Sequence, residues 1–307
     1  MMDRMEDGDG FAVATVNPRV PILAGGLILL AVLATWLFGH LPWVLDGFRV
    51  HDDARGSATG LASVRLSIPL IAGQLTSLVA FTAIGSIGAT LLPLAFPDLP
   101  RALAVVLSGL TLAVTTLILT LTARSSISTH AADAFAGDER VLDGLVAGVL
   151  LVTAAAGFLG CLASFQIGLL PLATAVVVGQ LPVWFGALGA DADLTRLLSR
   201  LGALVLLAAA FVISVRRSAG WIVLWPVALA IVWIATPLRI ATSGMQDRLR
   251  PGAGLNEDNL SDVFAHGREL FRVSFWEAPQ AWWPGVVAAG IAVVWLLVVR
   301  RRTLPHR

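Results

Sequence analysis

The sequence has no lysine and no tyrosine, a single cysteine, and charge on only 13% of its residues. Each shortage excludes something. A soluble domain carries charge on about a quarter of its residues. A 307-residue chain that is 57% hydrophobic and 13% charged has too little polar surface to cover itself, so lipid must be the solvent for most of it. The lone Cys161 forbids an intramolecular disulfide, and its apolar neighbours mark a buried, inert thiol. All 21 basic residues are Arg, which with heavy Ala, Gly, Leu and Val use reflects codon composition before function. The net charge of +1 leaves no footprint for nucleic acid. The chain has no P-loop, no glycine fingerprint for a dinucleotide, no His-Glu-x-x-His pair and no nucleophile elbow. No cofactor is expected.

Long apolar runs fill the space that these absences leave. A membrane crossing needs about 20 mostly apolar residues. Eight segments qualify: Val20–Phe38, Ser67–Phe96, Ala102–Ala123, Val141–Ala163, Ile167–Leu188, Leu197–Val215, Ala219–Ala241 and Trp283–Val299. The predicted fold is an all-α polytopic transmembrane bundle of eight spans, with an amphipathic interfacial helix before the last. Residues 20–299 form one bundle domain between a tail at 1–19 and a basic tail at 300–307. Ser67–Phe96 is too long for one straight crossing and must tilt, kink or break, at Pro69 or at the Gly85–Gly88 pair. Pro171, Pro182 and Pro226 are further candidate kinks. Trp36, Trp43, Trp184, Trp221, Trp276, Trp282 and Trp283 fall near span ends, where amphipathic rings favour the headgroup level.

Eight crossings return both termini to one side. Arg300, Arg301, Arg302 and Arg307 assign that side to the cytoplasm and the bilayer to the plasma membrane. The cytoplasmic segments then hold nine Arg against five acids, and the outer loops twelve Arg against fifteen acids. The inner connections around Pro97–Arg101, Ser164–Gln166 and Arg216–Ser218 are too short to couple to an ATPase, so no ATPase partner is expected.

The span centres hold no ionisable side chain. Asp143, Arg200 and Arg239 sit near span ends, within reach of the interface, which argues against a proton relay through buried carboxylates. Uncharged polar stripes remain. Ser108, Thr111, Thr115 and Thr122 share a face of the third span, and Gln74 and Ser77 share one of the second with Ser67, Gly85 and Gly88. Gln180 lies in the fifth. Such stripes pack helices closely, or they line a path for a small solute. In the long loop, Asn259 is a candidate helix cap. Leu260, Val263, Phe264, Phe271 and Phe275 then recur at helical spacing around Arg268 and Arg272. Phe264, Arg268, Phe271 and Arg272 are candidates for docking a partner.

The first outer loop carries His51-Asp52-Asp53. Two carboxylates beside an imidazole can hold a divalent cation or serve as base and acid. This placement resembles the acidic pair in the first outer loop of membrane glycosyltransferases of the GT-C type. The resemblance covers these few residues only, since the chain lacks the additional spans and the large outer domain common in that family. It implies an enzyme using a lipid-linked donor, with Asp52 or Asp53 as base or metal ligand. The residues as a whole point instead to a non-enzymatic accessory subunit of a cell-envelope complex, meeting other envelope membrane proteins on the outer face. A small-solute transporter, with its path along the second and third spans, is the other alternative.

Overall fold

The computed structural model describes residues 19–48, 64–130, 139–248, 257–277 and 283–303. The helices are α1 (Arg19–Val32), continued by a π-helical turn at Leu33–Phe38, α2 (Leu41–Leu45), α3 (Leu75–Leu91), α4 (Arg101–His130), α5 (Glu139–Phe165), α6 (Leu170–Gly186), α7 (Ala192–Arg217), α8 (Trp225–Arg248), α9 (Glu257–Glu277) and α10 (Trp283–Thr303). Seven of these units, including their flanking 3₁₀ turns, are long and apolar enough to cross a membrane, and α10 carries a shorter apolar stretch, Trp283–Val298. The chain is an all-α bundle of the transmembrane type.

Contacts fix the directions of the helices. A Cβ built on Gly26 would lie 3.8 Å from the Phe96 ring, so α1 begins where α3 ends. Arg200 stands over Trp283 at 5.9 Å and Arg216 over Trp295 at 4.9 Å, so α10 runs parallel to α7. The start of α1 and the end of α10 therefore share one end of the bundle with the short connections at 96–100, 166 and 218. We call it the short-loop end, and the opposite one the long-loop end.

Several expectations are corrected. The over-long second segment breaks at Pro69. Residues 64–71 are not helical, yet Leu66, Ile68 and Leu70 are fully buried, and the helix starts only at the 3₁₀ turn Ala72–Gln74. This buried, irregular backbone is satisfied from side chains and local turns. The Trp36 and Trp43 indoles donate to the Ser67 and Leu66 carbonyls, and Leu70 and Ile71 close tight turns onto Ile68 and Pro69. Trp43 and Trp184 are thus interior residues, not interfacial anchors; Trp184 donates to the Phe38 carbonyl. Pro171 and Pro226 sit in first turns, where a missing N–H costs nothing, while Pro182 and Pro237 are the prolines inside helices. Asn259 lies within α9, which begins at Glu257, so it is not the cap. Arg300–Arg302 lie in the last turn of α10, which runs to Thr303.

The amphipathic α9 does not lie flat across the bundle end. It descends along the flank of α8. A Cβ on Gly267 would meet the Met245 side chain at 2.6 Å and one on Gly244 the Leu270 side chain at 2.1 Å. Lower down, Trp233 stacks on Phe275 with centroids 5.5 Å apart, and its indole donates to the Phe275 carbonyl.

Candidate functional site

Three cavities matter, and their positions along the bundle differ. The largest, of about 630 Å³, lies between α6, α7, α8 and the start of α10. Its floor is Val178, Ala203 and Val232, and its mouth is at Ala190, Ala192 and Thr195, at the long-loop end. Arg196, Arg200 and Arg239 all line it, with no carboxylate among the lining residues.

The helical register places these arginines. On α8, Ala228, Val232 and Ala235 are buried at spacings of four and three, and Arg239 continues that stripe one turn further. On α7, Arg196 and Arg200 precede Ala203 and Leu207 at spacings of four, three and four. The apolar faces that build the bundle thus end in guanidinium groups on the same cavity. Arg196 pairs with Asp193 at 3.3 Å, but both side chains are mostly exposed, and such a pair contributes little. Arg200 reaches the Trp283 ring. Arg239 is half-buried and its guanidinium has no hydrogen bond or ion pair among the described residues. Below the cavity the bundle closes. Leu207 and Phe211 are fully buried, and Phe211 packs on Trp225 with centroids 4.7 Å apart.

A second cavity, of about 440 Å³, opens at the same end and is lined by Trp43, Asp46, Gln74, Ser77 and Phe81 with the turn Gly186–Gly189. Gly47 and Phe48 beside it both have positive φ, which turns the chain back, and the Phe48 ring stacks on Trp36 at 6.0 Å. Gln74 and Ser77 line this cavity together.

The other polar candidates go elsewhere. Ser108 is buried and donates to the Val105 carbonyl of its own helix. Thr111 and Thr115 line an apolar groove between α1 and α4 on the flank of the bundle. Gln180 is half-buried on α6 and lines none of these cavities. Phe264, Arg268 and Arg272 lie on the exposed face of α9, while Phe271 is half-buried against Phe275. His51, Asp52 and Asp53 lie outside the described residues. Among the described residues there is no cluster of three or more metal-ligating side chains.

Sequence reasoning passed over one buried polar site. The π-helical turn carries the chain past Phe38 so that His40 enters the interior, 4% exposed, edge-on to Phe81. Its Nδ1 lies 3.3 Å from the Thr35 carbonyl, which requires the proton on that nitrogen and leaves Nε2 an acceptor. Nε2 and the hydroxyls of Thr82 and Ser86 have no hydrogen-bond partner among the described residues. They border a void of about 10 Å³ with Thr35 and Thr116, the size of one water. The nearby helix crossing explains the geometry: a Cβ on Gly85 would stand 2.5 Å from the Thr35 carbonyl oxygen. The signal in the sequence was Thr35-x-x-x-Gly39-His40 opposite Thr82-x-x-Gly85-Ser86, polar and small residues on facing stripes.

At the short-loop end the helices are tied together. The Ser164 hydroxyl donates to the Thr90 carbonyl at 2.6 Å, and Arg101 Nε donates to the Ser164 carbonyl at 2.6 Å. No family model, no curated protein and no solved structure matches this chain.

Proposed function

We propose that this multi-pass membrane protein is a non-enzymatic binding component. It receives its ligand at the long-loop end, in the cavity between α6, α7, α8 and α10, without passing it across the bundle. The observation that carries this reading is the contrast between the two halves. Both larger polar cavities open at the long-loop end. Beneath the arginine-lined one, Leu207, Phe211 and Trp225 fill the interior. The polar residues expected to line a path are divided among separate places, which favours binding over conduction.

The charge balance supports placing the long-loop end outside the cytoplasm of a plasma membrane. The exposed α9 face, with Phe264 63% and Trp276 76% exposed, supports a second, compatible reading in which a neighbouring membrane protein docks there and the chain serves as its accessory subunit.

Cysteine accessibility tests the closed half. In a Cys161→Ser background, a membrane-impermeant maleimide added from the long-loop side should modify Ser199→Cys, which lines the cavity. It should not modify Ala210→Cys or Ser214→Cys, both of which are buried deeper on the same helix. Reaction at Ala210→Cys or Ser214→Cys from the long-loop side would reveal a continuous aqueous path and defeat the proposal.

A further inference from the structure

We infer that the α6–α7–α8–α10 cavity is a site for an anionic amphiphile, a molecule with a phosphate-type headgroup and an apolar tail drawn from the leaflet at the long-loop end. The inference rests on the binding role proposed above and names the class of ligand. Three observations carry it together.

The first is charge. Three guanidinium groups line the cavity and no carboxylate does. Arg239 is half-buried on a membrane-crossing helix, seven residues before its end at Gln246, and burying a charge there is costly without a partner. It has no hydrogen-bond or ion-pair partner among the described residues, so its charge is available to a bound anion. Guanidinium forks match the paired oxygens of a phosphate.

The second is the division of the lining. The arginines and the hydroxyl-bearing residues Thr195, Ser199 and Thr236 occur together with an apolar set that includes Val178, Pro182, Ala203 and Val232. A free inorganic anion would satisfy the arginines but leave the apolar walls in contact with water. A tailed ligand satisfies both. At about 630 Å³ the cavity is in the size range of sites for organic ligands.

The third is the way the cavity is kept open. Pro182 has no N–H for the Val178 carbonyl, so α6 is loosened at the cavity wall. Just below, a Cβ on Gly179 would lie 2.4 Å from the Ala235 side chain, so α6 and α8 meet closely at the floor. The helices converge beneath the site and part at the arginines.

Retention of lipid by the purified full-length chain tests this. The protein is reconstituted in nanodiscs containing equal amounts of dioleoylphosphatidylglycerol and dioleoylphosphatidylcholine, then extracted in mild detergent, and the retained lipid is counted by native mass spectrometry. The wild type should retain the anionic lipid preferentially. Arg239→Gln and Arg200→Gln should each weaken that preference by about tenfold, the loss of one charged hydrogen-bonding group. Arg216→Gln, which removes the same charge at the opposite end of α7, should leave it unchanged. Equal retention of the two lipids, or a preference untouched by Arg239→Gln, would refute the anionic class. Inorganic phosphate alone abolishing retention at micromolar concentration would show a site for a soluble anion and would also refute it.

Two blocking variants separate this failure from failure of the cavity as a binding site. Ala203→Leu fills the floor and Thr195→Trp obstructs the mouth. If both lipids bind equally and both variants reduce them, the cavity binds lipid without regard to charge, and only the headgroup assignment falls. If neither variant changes retention while the protein remains monodisperse and helical, the cavity is not the site, and the underlying proposal falls with it.

Discussion

Gly85 and Gly88 lie one turn apart on α3 and offer a matched pair of perturbations. Gly→Ala inside a helix gains about 1 kcal/mol from backbone propensity, and this gain is common to both positions. The surroundings differ. A Cβ at Gly88 would sit 4.0 Å from the Ala34 Cβ, an ordinary contact. A Cβ at Gly85 would sit 2.5 Å from the Thr35 carbonyl oxygen, a backbone atom of the π-helical turn that has no rotamer through which to retreat. Relief requires α1 and α3 to part, and overpacking of that kind costs about 1–3 kcal/mol. Gly88→Ala should therefore be neutral or stabilise by up to about 1 kcal/mol. Gly85→Ala should be net destabilising, with a difference between the two of about 1–3 kcal/mol, the overpacking cost alone. Gly39→Ala, whose Cβ would meet the Gly85 Cα at 2.7 Å, should cost a similar amount. Its double variant with Gly85→Ala should be less than additive, because either substitution alone already separates the same helices. The assay is reversible unfolding in mixed micelles of mild detergent and SDS. Equal stability of Gly85→Ala and Gly88→Ala would refute the close crossing and, with it, the account of how His40 is brought inside.

Two further outcomes test the ties between helices. Ser164→Ala should cost about 0.6–1.7 kcal/mol in the same assay, the range for a hydrogen bond between transmembrane helices, and an unchanged stability would remove Ser164 as the link between α5 and α3. Trp233→Phe keeps the ring stacked on Phe275 but deletes the donor to its carbonyl. Amide hydrogen exchange in α9 should then rise by about two- to tenfold with α3 unaffected, since the bond joins α9 to α8; uniform exchange across both helices would contradict this.

The spans were legible because a bilayer imposes one requirement on every crossing: some 20 residues without charge, whatever they pack against. Helix ends and breaks were less legible, because they depend on where backbone groups find partners. Ser67–Ile71 reads as apolar helix by composition. It is irregular chain in the structure because Pro69 disfavours helix before it and Trp36 and Trp43, more than twenty residues away in sequence, donate to the carbonyls of Ser67 and the preceding Leu66. Composition alone does not reveal so distant a partner. The tryptophans were misread for the same reason: Trp43 has the amphipathic ring of an interfacial anchor, but its N–H is used inside.

The arginine site depends on the direction in which each side chain leaves its helix. Arg200 and Arg239 each lie near a span end, and a lone arginine there has an easy escape to the headgroups. Whether it takes that escape depends on the azimuth of its side chain, and the azimuth was written in the stripe of small residues on its own helix. Ala228, Val232 and Ala235 face the bundle, so Arg239 at the next position of that stripe faces it too. Ala203 and Leu207 set Arg200 on the wall of the same cavity, where it is exposed. Two such stripes on helices flanking one cavity place like charges on its walls, which no packing requirement favours. A bundle built only for its own stability would place apolar residues there. The convergence makes sense as half of an ion pair whose other half arrives with a ligand, and the sequence, which contains only the protein's half, could not display the pair.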